Sequence, residues 1–128
     1  MSNLEIVKQG YQYFAEGNVE GVLSLFHPQI EWNECNSFPF IEGDGTFIGP
    51  QAVLQNVFAQ IPVYYDGFNI EMNDLFESGD RVVMEGYYVG TWKETGKKFK
   101  ANAAHIWTVK DGLATRFFQA VDSATIMN

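Results

Sequence analysis

At 128 residues, 46% hydrophobic and only 19% charged, the chain excludes a disordered protein and has enough apolar material for the core of one domain over residues 1–128. A net charge of −8 with no Lys/Arg cluster argues against nucleic acid and anionic membrane as partners. The single cysteine, Cys35, excludes an intramolecular disulfide. With no signal-peptide pattern and no apolar run near the ~20 residues of a membrane span, a soluble cytoplasmic protein is expected.

Leu4, Val7, Tyr11 and Phe14 recur at helical spacing, which predicts a helix over 3–16 with Asn3 as N-cap and Gly17 at its end. Asn18 caps a second, short helix with Val19, Val22, Leu23, Leu25 and Phe26 on its apolar side, ended by His27-Pro28. "IEWNE" (30–34) alternates like a short strand, which puts Trp32 and Glu34 on one face. Residues 35–47 lack periodicity and read as a loop long enough to serve as a lid. Gly49-Pro50 opens a third helix through "QAVLQNVFAQI", with Pro62 beyond its end.

Four strand-like runs follow, at 67–77, 80–92, 97–110 and 113–122, separated by SGD, KETG and DG turns. Helices first and long antiparallel strands later make an α+β pattern. Strands of a dozen residues span ~40 Å and must twist and curl. The expected architecture is a cone-shaped, strongly curved, mostly antiparallel sheet with three helices packed on its concave side. Such a cone is either filled with side chains or hollow enough for a ligand.

The stretch "ANAAHIWTVKDGLATRFFQAVD" (101–122) decides what the cone can do. If Asp111-Gly112 is a two-residue hairpin loop, Lys110 pairs with Leu113, His105 with Phe118 and Ala101 with Asp122. His105 and Asp122 then share one face beside three alanines, with Phe99, Trp107 and Phe118 as walls. They stand ~13 Å apart along the strand, too far for a direct relay. A three-residue loop with a glycine bulge would instead turn Asp122 to the opposite face. Plainer roles are a satisfied core histidine for His105, a cap of "DSATIMN" for Asp122, and core packing for Tyr11 and Trp32.

Histidines 27 and 105 with one cysteine give no metal spacing, and "EGDGTFIG" follows loop residues rather than a strand. No serine stands in a nucleophile elbow. A site without metal or cofactor is expected.

The helix "IVKQGYQYFAEGNVEGVLSLFHPQIEW", then "FIGPQAVLQNVF", "SGDRVVMEGYYVGTW" and "AAHIWTVKDGLATRFFQAVD" together resemble the SnoaL-like branch of the nuclear-transport-factor-2-like superfamily, which includes ketosteroid isomerases. The resemblance covers nearly all of the chain. It implies an aspartate late in the sheet, Asp122, as acid/base, with His105 as its helper or as a donor to a substrate oxygen. Matched to ketosteroid isomerases, it implies Tyr11 or Tyr13 as a donor and Glu34 as an early carboxylate. Trp32, Trp107 and Phe118 would line the pocket. The expected function is isomerase-like or cyclase-like proton transfer on an apolar or cyclic carbonyl compound, because a carboxyl group in an apolar cone has a raised pKa. The alternatives are a non-catalytic binding domain and a homodimeric assembly domain, paired through the outer side of 80–92 with Val83, Tyr87 and Val89. The fold hosts many activities, so these stand as expectations.

Overall fold

Helix α1 (Asn3–Ala15) starts one residue earlier than its apolar spacing suggests, because Ser2 rather than Asn3 caps it. The Ser2 hydroxyl accepts from the Glu5 amide at 3.1 Å, and the Glu5 carboxylate accepts from the Ser2 amide at 3.0 Å. That reciprocal box satisfies two donors the first turn would otherwise leave free. Asn18 caps α2 (Val19–Ser24) as expected, accepting from Gly21 N–H at 2.9 Å.

In this computed structural model, which describes residues 1–128, the chain then turns directly into strand β1 (Phe26–Asn33). His27-Pro28 is therefore a strand segment, not a helix end. The residue before proline is pushed into extended backbone, and α2 has already closed at Leu25. After β2 (Thr46–Ile48), Pro50 opens α3 (Pro50–Asn56), which is shorter than the sequence spacing predicts. Val57 leaves helical geometry, a 3-10 turn spans Phe58–Gln60, and a one-turn helix α4 (Ile61–Tyr64) follows. Pro62 sits in the first turn of α4, where its missing N–H leaves no bond unmade.

The rest of the chain is β3 (Tyr65–Ser78), β4 (Arg81–Trp92), β5 (Lys97–Lys110), β6 (Leu113–Val121) and a short α5 (Ser123–Met127). Six strands form one sheet in the order β2-β1-β6-β5-β4-β3, antiparallel except where β1 runs parallel to β6. No helix is long and apolar enough to cross a membrane.

Curvature comes from bulges. Register shifts between Met72 and Asp74, opposite Gly86, where a Cβ would lie 2.2 Å from the Glu71 carbonyl oxygen. Only glycine lets β3 fold that closely over β4. Inward positions alternate along β4 (Val82, Met84, Tyr88) and β5 (Phe99, Ala101, Ala103, His105, Trp107), and all of them are buried. On the outer face Phe76, Val83, Ile106 and Phe118 pair in one row across four strands, leaving Phe76 46% and Phe118 40% exposed.

The hairpin between β5 and β6 corrects the expected register. Asp111 and Gly112 both take positive φ, and Lys110 pairs with Leu113, so the two-residue loop is present. One step later Val109 pairs with Ala114 but Thr108 with Arg116, so Thr115 is an extra residue on β6. From there His105 faces Gln119, not Phe118, and Ala103 faces Val121. Phe118 and Asp122 are thereby carried off the face that His105 occupies.

Candidate functional site

The concave side of the sheet holds a narrow cavity with about 840 Å³ of space free of atoms, its open mouth included. Of the 24 residues lining it, 20 are hydrophobic. Helix α1 contributes Tyr11 and Phe14, the stretch after β1 contributes Phe38 and Phe40, and the sheet contributes Trp32, Tyr88, His105, Trp107 and Phe117. Phe38 is 2% exposed and stacks on Phe40, so this part of the 35–47 loop is packed as cavity wall.

Among the lining residues Glu34 is the sole carboxylate, and none is a lysine or arginine. Glu34 follows β1 directly, and continued alternation keeps it on the Trp32 face, as its sequence position predicts. Its Oε2 accepts from Trp32 Nε1–H at 2.6 Å, and its Oε1 accepts from the Gln119 amide. Burial in the aromatic wall pushes its pKa up to about 7, against the pull of those two hydrogen bonds. The backbone fixes it as well, since Glu34 N–H donates to Gly45 C=O at 2.8 Å.

Gly45 has φ +84°, and a Cβ there would lie 2.4 Å from the Glu34 carbonyl oxygen. Gly45→Ala should therefore destabilise the fold by roughly 1–3 kcal/mol in urea unfolding and pull Glu34 out of place. Unchanged stability would mean that the loop relaxes freely.

A continuous hydrogen-bonded chain leads from Glu34 across the cavity floor. Tyr88 O–H donates to Gln119 Oε1 at 2.7 Å, and Tyr88 Oη lies 2.5 Å from His105 Nε2. His105 Nδ1 lies 2.6 Å from Tyr11 Oη, which accepts from Trp107 Nε1–H at 2.9 Å. His105 is 3% exposed, and burial holds its pKa down at about 3, so the ring is neutral. Burial also raises the Tyr11 and Tyr88 hydroxyls well above their ordinary value. Both ring nitrogens of His105 are engaged by tyrosines, Nδ1 by Tyr11 and Nε2 by Tyr88.

The residues singled out from sequence thus divide. Trp32, Glu34, Tyr11, Trp107 and His105 meet at one cavity. Phe118 does not line it; the bulge at Thr115 puts Phe117 there, stacked on Trp32 with ring centroids 3.8 Å apart. Asp122 is not on this face either. It is exposed and N-caps α5, accepting from Thr125 N–H at 3.2 Å and Thr125 Oγ1–H at 2.5 Å. These bonds hold its carboxyl below the usual range. Tyr88, Phe117 and Gln119 were not anticipated, although alternation from Val82 points Tyr88 inward.

Asp122→Ala should lower thermal stability through the lost cap and leave any chemistry in the cavity unchanged. An activity loss without a stability loss would return Asp122 to the site. No three His, Cys, Asp or Glu side chains gather as a metal site would require.

Comparison with known proteins places this geometry. No curated protein matches the chain. Among solved structures, an NTF2-like protein from Burkholderia thailandensis E264 is 29% identical with a TM-score of 0.91, covering 98% of this chain and 95% of that one. TerC, co-crystallised with polyporic acid, is 28% identical with a TM-score of 0.83, covering 95% and 92%. IdmH, a putative polyketide cyclase from Streptomyces antibioticus, shares the fold at 17% identity and a TM-score of 0.80, covering 99% and 96%. The SnoaL-like domain model matches residues 7–117, from Val7 within α1 to the Phe117 that walls the cavity; the chain belongs to the SnoaL-like family of the NTF2-like superfamily.

Proposed function

We propose that the chain is a cofactor-independent enzyme that moves a proton at carbon next to a carbonyl in an apolar or cyclic ligand, with Glu34 as the acid/base. The observation that carries this is Glu34 itself, a lone carboxylate in an aromatic cavity with its pKa near 7. A carboxyl titrating near neutral pH both takes a proton and returns it. Trp32 and Phe117 form a stacked wall beside it for a flat ring. Tyr11, across the cavity floor, is the candidate partner for the ligand's carbonyl oxygen, positioned by His105 and Trp107.

The ligand class follows from the lining, which is apolar, uncharged apart from Glu34, and rich in rings. TerC's crystallisation with polyporic acid and the description of IdmH as a putative cyclase support a carbonyl-bearing ring compound. The half-buried thiol of Cys35 suits a reducing compartment such as the cytoplasm.

The test is a panel of cyclic ketones in deuterated water, followed by NMR, with polyporic acid as a binding probe by tryptophan fluorescence. Deuterium should enter next to the carbonyl faster with protein than without. Binding with no exchange would make the chain a binding domain.

The row Phe76–Val83–Ile106–Phe118 favours a homodimer joined through the outer sheet face. Sedimentation should give twice the 14.5 kDa chain mass, and Phe118→Glu should restore the monomer. A wild-type monomer at high concentration would remove this reading.

A further inference from the structure

The hydrogen-bonded chain across the cavity floor has a direction, and Glu34 sets it. An ionised Glu34 can only accept, so Gln119 turns its amide N–H toward it. Gln119 Oε1 then faces Tyr88 and takes its hydroxyl proton. Tyr88 Oη is left to accept, which requires the proton of neutral His105 to sit on Nε2. Nδ1 is then bare and accepts the Tyr11 proton, while the Tyr11 oxygen accepts from Trp107. Each hydroxyl and ring N–H along this chain is committed to its neighbour, and no buried polar side-chain atom lacks a partner. In this arrangement Tyr11 has no proton to offer a ligand.

Protonation of Glu34 reverses the requirement. Oε2 already faces the Trp32 N–H, so the new proton sits on Oε1 and needs an acceptor on Gln119. Rotating that amide brings its oxygen to Glu34 and its N–H to Tyr88. Tyr88 then donates to His105 Nε2, Nδ1 carries the ring proton and donates to Tyr11, and the Tyr11 proton is left facing the cavity. The ring holds one proton in both arrangements; the one lost from Nε2 to solvent is balanced by one gained at Nδ1 from solvent.

We infer that Gln119, Tyr88 and His105 form a switch through which the protonation state of Glu34 decides whether Tyr11 offers a hydrogen bond to a ligand oxygen. This rests on the reading of Glu34 as the site's acid/base and adds its regulation. A ligand whose proton has just passed to Glu34 bears an oxygen rich in charge, and the reversed chain supplies a donor to that state. The other titratable groups facing Glu34 are Cys35 beside it, Tyr65 from β3, Tyr88 from β4, His105 from β5 and Tyr11 from α1. None of them is a second carboxylate or a cation at neutral pH.

The tautomer of His105 reports the switch directly. In the full 15N-labelled chain carrying His27→Gln, only one imidazole remains to observe. Its two nitrogens are followed by long-range 1H–15N correlation across the titration of Glu34 near 7, with the Glu34 carboxyl carbon followed in parallel. The expected result is proton on Nε2 above the titration and on Nδ1 below it, with the ring neutral throughout. Gln119→Leu, or Tyr88→Phe if that variant does not fold, should abolish the change. Proton on Nε2 at every pH while Glu34 titrates overturns the switch and leaves the acid/base reading intact. So does a tautomer change that persists in the relay variants, or an imidazolium on the acid side. If Glu34 does not titrate in this range, both readings fall together.

Discussion

Glu34→Gln is expected to lower the rate of ketone proton exchange by roughly 10²–10⁴, the usual contribution of a positioned acid/base. Glutamine keeps the length and shape of the side chain; its oxygen can still accept from Trp32, and its N–H finds an acceptor once the Gln119 amide turns its oxygen toward it, so the cavity should still bind its ligand. What disappears is the pair of electrons that takes the proton. The loss should therefore fall on kcat more than on KM. A rate within a few-fold of wild type would move the chemistry to another group, and the cavity holds no other carboxylate to receive it.

The second large effect is on stability, and its sign follows from burial. Folded Glu34 keeps its proton up to about pH 7, whereas in the unfolded chain it gives it up near 4.5. Between those values the folded state binds more protons, so the Glu34 contribution to stability falls as pH rises through that window. Glu34→Gln carries no such term and should gain on the wild type by up to about 3 kcal/mol from pH 4.5 to pH 7, less where cavity water screens the charge.

His105 works in the opposite sense. It stays neutral down to about 3 when folded but charges below 6.5 when unfolded, so the stability it carries is present above 6.5 and lost as pH falls. In the wild type the two slopes oppose each other between 4.5 and 6.5. In Glu34→Gln the rise due to His105 should stand alone. Urea unfolding of both proteins at a series of pH values checks this, and parallel curves would contradict it.

Much of this was legible in the sequence, for reasons that can be named. The α+β order, the curled antiparallel sheet and the cavity follow from apolar spacing and from strands too long to stay flat. Trp32 and Glu34 were placed correctly on one face because β1 alternates without interruption where they stand. The parallel pairing of β1 with β6 leaves no local pattern, since it joins segments about 85 residues apart.

The face of Asp122 was misread at a single residue. Phe117 and Phe118 are adjacent, so either register supplies an aromatic wall, and periodicity cannot detect the extra Thr115. The same shift put Gln119 opposite His105 in place of the expected Phe118 and so hid the link between Glu34 and His105. Tyr88 was not singled out, although placing Tyr87 on the outer face of β4 already turns Tyr88 inward. Tyr11 was read from its spacing as core, and it is packed as core while its hydroxyl serves the cavity.

The most direct measurement is the carboxyl carbon titration of Glu34 by 13C NMR, without ligand and with polyporic acid bound. A midpoint near 7 that moves when the cavity fills is the predicted result, because the ligand displaces water from around the cavity's one carboxylate. A midpoint near 4.5, insensitive to ligand, would mean that Glu34 is an ordinary solvated carboxylate and would contradict its role as the acid/base of this cavity.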